Sequence, residues 1–121
     1  MPTARGETFL MPTPQGLHLF VVASAPCALG KVVLVSISSW KGPRCDPTCI
    51  ISAGHHHFIT HDSYAAYNFS DIERCMTIDA GIAQGRFIPK GPLPEPILTS
   101  LCEGVLNSRF TPRKVKAYLQ S

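Results

Sequence analysis

Two segments of the chain are apolar at almost every position. They are Leu17-His18-Leu19-Phe20-Val21-Val22-Ala23-Ser24, closed by Pro26, and Lys31-Val32-Val33-Leu34-Val35-Ser36-Ile37-Ser38, opened by Gly30. A short continuous run of β-branched and aromatic residues between turn signals predicts a strand buried on both faces. An earlier run, Gly6 to Met11, predicts a strand that Pro12 and Pro14 end, because proline lacks the N–H a ladder needs. Pro12-Thr13-Pro14-Gln15-Gly16 then reads as a turn. Past the polar loop from Ser39 to Pro47, Thr48-Cys49-Ile50-Ile51-Ser52 predicts a fourth strand stopped by Gly54. The alternation of Ala65, Tyr67 and Phe69 predicts a fifth over Tyr64 to Phe69, and Ile72 to Ile78 a further one.

After Gly81 the pattern changes. Ile88 to Pro94 is a proline-rich connector, and from Glu95 to Leu106 the apolar positions are 97, 98, 101, 102, 105 and 106. That is the spacing of one buried helical stripe, with Pro94 or Pro96 acceptable in the first turn. Thr111-Pro112 predicts the start of a short basic helix reaching Leu119, with the threonine as N-cap and the proline at the first helical position. Several short strands followed by two helices predict a mainly β fold with C-terminal helices, built on a small, strongly bent sheet or barrel. The barrel is expected over about residues 5–78 and the helical part over 94–120, in a single domain 1–121 without internal repeats.

Composition narrows the function classes. A length of 121 residues supports one core rather than two. With 45% hydrophobic and 16% charged residues, the chain is not of the disordered class. A net charge of +3 permits contact with RNA but excludes a dedicated nucleic-acid coat. No apolar run is long enough for a membrane span, and Met1 to Glu7 lacks the basic-then-apolar order of a secretory signal. Five cysteines, an odd number with Cys27, Cys75 and Cys102 in or beside apolar runs, fit reduced thiols in a cytoplasmic protein.

Candidate chemistry concentrates in Gly54-His55-His56-His57-Phe58-Ile59-Thr60-His61-Asp62-Ser63-Tyr64, which holds four of the five histidines. Histidine titrates nearest neutrality, so the stretch is where acid/base or metal chemistry is sought first. Cleaving RNA through its 2′-hydroxyl needs one group to accept a proton and another to give one. His18, at a strand start, and His61, at the end of the loop, are the candidates. Ser38 or Ser39, at the end of the third strand, would donate to a phosphate oxygen, and Lys41 and Arg44 would add positive charge for the pentacovalent phosphate. Tyr64 or Tyr67 would stack on a base, with Ser63 beside them in the substrate-binding set. No cofactor is implied.

Three other readings compete. Cys45, Cys49, His55, His57 and His61 offer zinc-type ligands, but a Cys-x3-Cys pair followed by histidines six to twelve residues later is not a finger spacing, and no metal ligand is assigned. A cysteine nucleophile needs an exposed thiolate, against which the apolar context of most of the cysteines argues. In the third reading the stretch is a structural clasp. His56 and His57 face solvent, Phe58 and Ile59 enter the core, and Asp62 and Ser63 form a tight turn. The basic residues Arg109, Arg113, Lys114 and Lys116 are either a solvated face or a contact for phosphates or an acidic partner.

Several of these segments resemble the PemK/MazF-like group of small Src-homology-3-like barrels, the toxin members of toxin–antitoxin pairs. Arg5-Gly6-Glu7-Thr8-Phe9 is similar to the group's entry to its first strand, and Val21-Val22-Ala23-Ser24 to the end of its second. Val33 to Ser39 sits where the group has an apolar strand ending in Thr or Ser. The pattern from Gly54 to Tyr64 looks like a divergent bacterial and phage branch. The resemblance covers about the first 75 residues. It implies an endoribonuclease that cuts single-stranded RNA without a metal, a homodimer and an antitoxin-like protein partner. Where the group places Arg-Pro, with the arginine at the scissile phosphate, this chain has Leu17 and His18. The alternative to an enzyme is a non-catalytic barrel that kept the fold and binds a host partner or nucleic acid.

Overall fold

The two continuous apolar runs form β2 (Gly16–Val22) and β3 (Lys31–Ser39), which pair antiparallel with Leu19 opposite Ile37 and Val22 opposite Leu34. The computed structural model describes residues 3–121. Met1 and Pro2, where the segment read for a secretory signal begins, lie outside the described residues. Around the central pair stand β1 (Thr8–Thr13), β4 (Ile50–Ile51), β5 (Ser63–Arg74) and β6 (Ile88–Pro89). Together they make one antiparallel sheet in the order β4-β5-β3-β2-β1-β6, curled into a half-barrel. Three helices accompany it: α1 (Cys75–Ala83), α2 (Glu95–Asn107) and α3 (Arg113–Gln120).

Both faces of the sheet are covered, which is why β2 and β3 need no polar face. On one face Val21, Val33, Val35 and Ile37 pack in a cluster with Leu98, Leu101 and Val105 of α2 and Val115 of α3. On the other, Phe20, Val22, Val32 and Leu34 join Phe9, Ile78 of α1 and Phe87. Phe9 stacks on Phe87 with ring centroids 5.5 Å apart. Each fully buried aliphatic or aromatic side chain here contributes about 1.5–3 kcal/mol.

The curl originates in β5. Lys31–Leu34 pair with Arg74–Asp71, and Ser36–Ser39 pair with Ala66–Ser63, so Val35 alone faces the four residues Tyr67–Ser70. The surplus makes a wide bulge, and a bulged strand bends and twists more strongly. Ser70 Oγ donates to the Tyr67 carbonyl at 2.6 Å and holds the bend.

The structure departs from the sequence pattern at four places. The first strand does not end at Pro12 but runs to Thr13, with Pro12 opposite Leu17. β6 covers only Phe9 and Leu10, so no ladder bond asks for the missing Pro12 N–H. The strand expected over Thr48 to Ser52 shrinks to Ile50–Ile51. Ile72 to Ile78 is not a separate strand. β5 continues to Arg74, and α1 follows at once, with Gly81 making room for the Phe87 ring, which would stand 2.4 Å from an added Cβ. α3 begins at Arg113 with Pro112 as N-cap, while Thr111, expected to cap it, is buried with no partner for its hydroxyl among the described residues.

Candidate active site

At the Ser39 end of β3 the curled sheet leaves an open pocket of about 360 Å3. β2 supplies Leu17, His18 and Leu19, β3 supplies Ile37, Ser38 and Ser39, and β5 supplies Ser63. Leu10 forms part of the floor, and the loop before β5 adds Phe58, Ile59 and His61. The register that sets Leu19 opposite Ile37 brings His18 alongside Ser38. Five of the residues singled out from sequence, His18, Ser38, Ser39, His61 and Ser63, therefore line one pocket.

The loop that carries His61 is built around His56. Gly54 N–H donates to the Ile59 carbonyl at 3.0 Å, and Ile59 N–H to the His56 carbonyl at 2.9 Å, with Gly54 at a φ of +93° that favours glycine. The buried His56 ring accepts the Phe58 N–H at Nδ1 (3.1 Å) and reaches the Gly91 carbonyl with Nε2 (3.2 Å). A neutral imidazole has one donor and one acceptor nitrogen, so these two bonds fix the Nε2–H tautomer. His56 is thus a clasp between the loop and the connector before α2, not a solvent-facing residue. His57 stacks on it at 4.5 Å, and His55 and His57 are exposed. Ile59 is buried as expected, whereas Phe58 is 39% exposed and faces the pocket. At the far end of the loop, Asp62 Oδ1 accepts the Ala53 N–H at 3.1 Å, and its carbonyl accepts the Trp40 N–H at 2.9 Å.

These bonds hold His61 against Ser39, with Nε2 2.6 Å from Ser39 Oγ. When the ring proton is on Nδ1, toward the Thr60 hydroxyl at 3.5 Å, Ser39 O–H donates to Nε2 and His61 is a base. The Asp62 carboxylate is engaged with Ala53, so the pair is a Ser–His dyad without an acidic third member.

The remaining residues of the predicted site are elsewhere. Tyr67 is 0% exposed and donates from its hydroxyl to the Leu101 carbonyl at 2.7 Å, so it is a core residue and has no face to offer a base. Burial pushes its phenol well above the usual range. Tyr64 neighbours Ser63 in β5 and so points to the opposite face, as strand geometry requires. There it meets Trp40 edge-on at 5.9 Å and lines a different pocket with Arg44. Burial, then a hydrogen bond with the Cys45 thiol, pushes the Tyr64 phenol up. Lys41 is exposed and lines neither pocket.

Sequence reasoning missed Lys90, whose ammonium sits 4.9 Å from the centroid of the ring of Phe58, a residue of the first pocket. A lone lysine among prolines carries no pattern that points to it. Among the described residues no group of three or more His, Cys, Asp or Glu is assembled as for a metal ion. Cys49 is buried in the core, apart from the exposed histidines. Cys27, Cys75 and Cys102 are half-buried rather than enclosed. Among the described residues no helix is long and apolar enough to cross a membrane. No protein-family model matches the chain, and no significant match was found among curated proteins.

Proposed function

We propose that the chain is a PemK/MazF-like, toxin-type endoribonuclease or a close derivative, with the Ser39–His61 pocket as its active site. The observation that carries this reading is the 2.6 Å contact between Ser39 Oγ and His61 Nε2 in an open pocket that His18 also lines. Two imidazoles suffice for the chemistry, so no metal is needed. His61 Nε2 takes the proton of an RNA 2′-hydroxyl, whose oxygen attacks the adjacent phosphorus. His18, entering protonated, gives its proton to the departing 5′-oxygen. The products are a 2′,3′-cyclic phosphate and a free 5′-hydroxyl. Released from His61 when the 2′-hydroxyl takes its place, the Ser39 O–H turns to a non-bridging phosphate oxygen, joined by Ser38. Phe58, with Lys90 beside it, is the pocket's aromatic surface for a base. The bent β5 is in keeping with a Src-homology-3-like barrel. A cytoplasmic homodimer held in check by an antitoxin-like partner follows from the resemblance alone.

One observation favours the competing reading of a non-catalytic interaction module. The pocket walls are mainly Leu10, Leu17, Leu19, Ile37, Phe58 and Ile59, and no arginine lines them. Incubation with a long unstructured RNA in excess chelator separates the two. The endoribonuclease produces discrete fragments with cyclic phosphate ends, and His61→Ala or His18→Ala slows their appearance by about 10²–10⁴-fold with the fold intact. RNA left whole at stoichiometric protein rules out the enzyme and leaves the interaction module.

A further inference from the structure

Arg44, displaced from the predicted active site, belongs to a second pocket of about 640 Å3, lined also by Asp46, Thr48, Asn107, Arg109 and Phe110. A smaller pocket adjoins it through Arg44, Asp46 and Phe110 and adds Tyr64 and Asn68. The walls come from two segments distant in sequence, the loop after β3 and the turn between α2 and α3, and Asp46 ties them together. Its carboxylate accepts from the Ser108 hydroxyl across 62 residues of chain and from the Thr48 N–H (3.0 Å) and hydroxyl. Ser108 Oγ in turn accepts the Phe110 N–H at 3.1 Å.

Asp46 is satisfied by these hydrogen bonds, and although the Arg109 charge favours its ionised form, neither arginine is locked to it in an ion pair. The ion pairs among the described residues are Arg5–Glu95 and Lys114–Asp71, and neither Arg44 nor Arg109 takes part in one. The Arg109 guanidinium lies 4.8 Å from the centroid of the Phe110 ring, and Phe110 remains 43% exposed. Guanidinium groups match phosphate oxygens in a fork, an exposed aromatic or guanidinium plane stacks on a base, and the Asn68 and Asn107 amides both donate and accept at base edges. An acidic peptide would use the arginines but has no use for the aromatic plane and the amides together.

The geometry points to a second contact for single-stranded RNA at Arg44, Arg109 and Phe110, which takes a phosphodiester and an adjoining base outside the Ser39–His61 pocket. It rests on the proposed function only in taking RNA as the ligand. Substrate would be held at two places, one where it is cut and one where it is gripped.

The test uses the full-length His61→Ala protein and a fluorescein-labelled single-stranded RNA of about a dozen nucleotides, its affinity followed by anisotropy across a salt series. Adding Arg44→Gln and Arg109→Gln is expected to weaken binding at least tenfold. The slope of log affinity against log salt should fall in magnitude by about 0.7, the value for one phosphate contact on a single strand. Adding Phe110→Ala instead weakens binding about 5- to 150-fold with the slope unchanged. Equal affinity and slope in the arginine variant, with a native circular dichroism spectrum and melting curve, overturns the proposal. So does arginine-dependent binding of a poly-glutamate peptide with none of the RNA. Cleavage by the unaltered protein is scored separately. Uncut RNA alongside arginine-dependent binding defeats the catalytic reading alone, and cut RNA alongside arginine-independent binding defeats this one alone.

Discussion

Asp46 has one carboxylate doing the work of several loop contacts. Burial alone would push its pKa up, but the hydroxyls of Ser108 and Thr48, the Thr48 N–H and the nearby Arg109 charge outweigh burial and hold it below the ordinary value. A carboxyl whose folded pKa is depressed adds stability above its unfolded value, about 3.9, and loses it as pH falls through the folded one. Urea midpoints measured from pH 7 downward should therefore drop below about pH 4, and Asp46→Asn should flatten that drop. The same variant should cost about 1–2 kcal/mol at pH 7, where hydrogen bonds to a charged acceptor are lost. A variant with the parent's acid profile would show that Asp46 does not hold the two segments together. His56 is the neighbouring lesson. One of the most conspicuous histidines in the sequence serves as loop architecture, and the histidine that meets Ser39 is His61, set apart at the end of the cluster.

Among the elements, α2 and β5 are fitted to each other through Gly104. A Cβ added there would stand 2.0 Å from Tyr67 Oη, and Tyr67 is fully buried with its hydroxyl committed to Leu101. Replacing a mid-helix glycine with alanine ordinarily gains about 1 kcal/mol. At this position overpacking costs about 1–3 kcal/mol, and Gly104→Ala should lower the thermal midpoint. A raised midpoint would mean that Tyr67 can yield. β2 and β3 were legible in the sequence because burial on both faces leaves an unbroken apolar run, and α2 because its stripe follows the helical period. α1 was not. Arg74 offers no side-chain cap, and β5 runs into the helix without the proline or glycine that marks other junctions. β6 has two residues inside a proline-rich segment, too few for any period to register. The gathering of His18, Ser38, Ser39, His61 and Ser63 could be read from strand ends and loop position. The loss of Tyr67 to the core could not, because Gly104, the residue that receives it, belongs to a different element.

The whole molecule is held by its two apolar clusters rather than by charge. Arg5–Glu95 and Lys114–Asp71 lie at 3.1 and 2.9 Å but are exposed, where solvent and salt screen such pairs and leave them little to contribute. The last helix is part of the core and not an appendage. Val115 is fully buried, and the Tyr118 hydroxyl donates to the Lys31 carbonyl at 3.1 Å, with burial first and then Cys27 pushing its phenol up to about 12. Val115→Ala should accordingly lower global stability by about 1–3 kcal/mol, in one urea transition with an unchanged slope. A second transition or an altered slope would mean that α3 unfolds on its own.

The bulge in β5 has a consequence for how the chain can change in length. Its two halves are registered against β3 independently, with Tyr67–Ser70 as slack between them. A residue gained or lost at the exposed Asn68 and Phe69 is absorbed in that slack, leaving both registers in place. The same change between Ser63 and Ala66 turns the strand's first half over, because a slip of one residue exchanges its faces. Tyr64 would then enter the pocket of Ser39 and His61, and Arg44 would lose its aromatic neighbour. One strand thus contains both a position tolerant of insertion and deletion and one where a single such event exchanges the contents of two pockets.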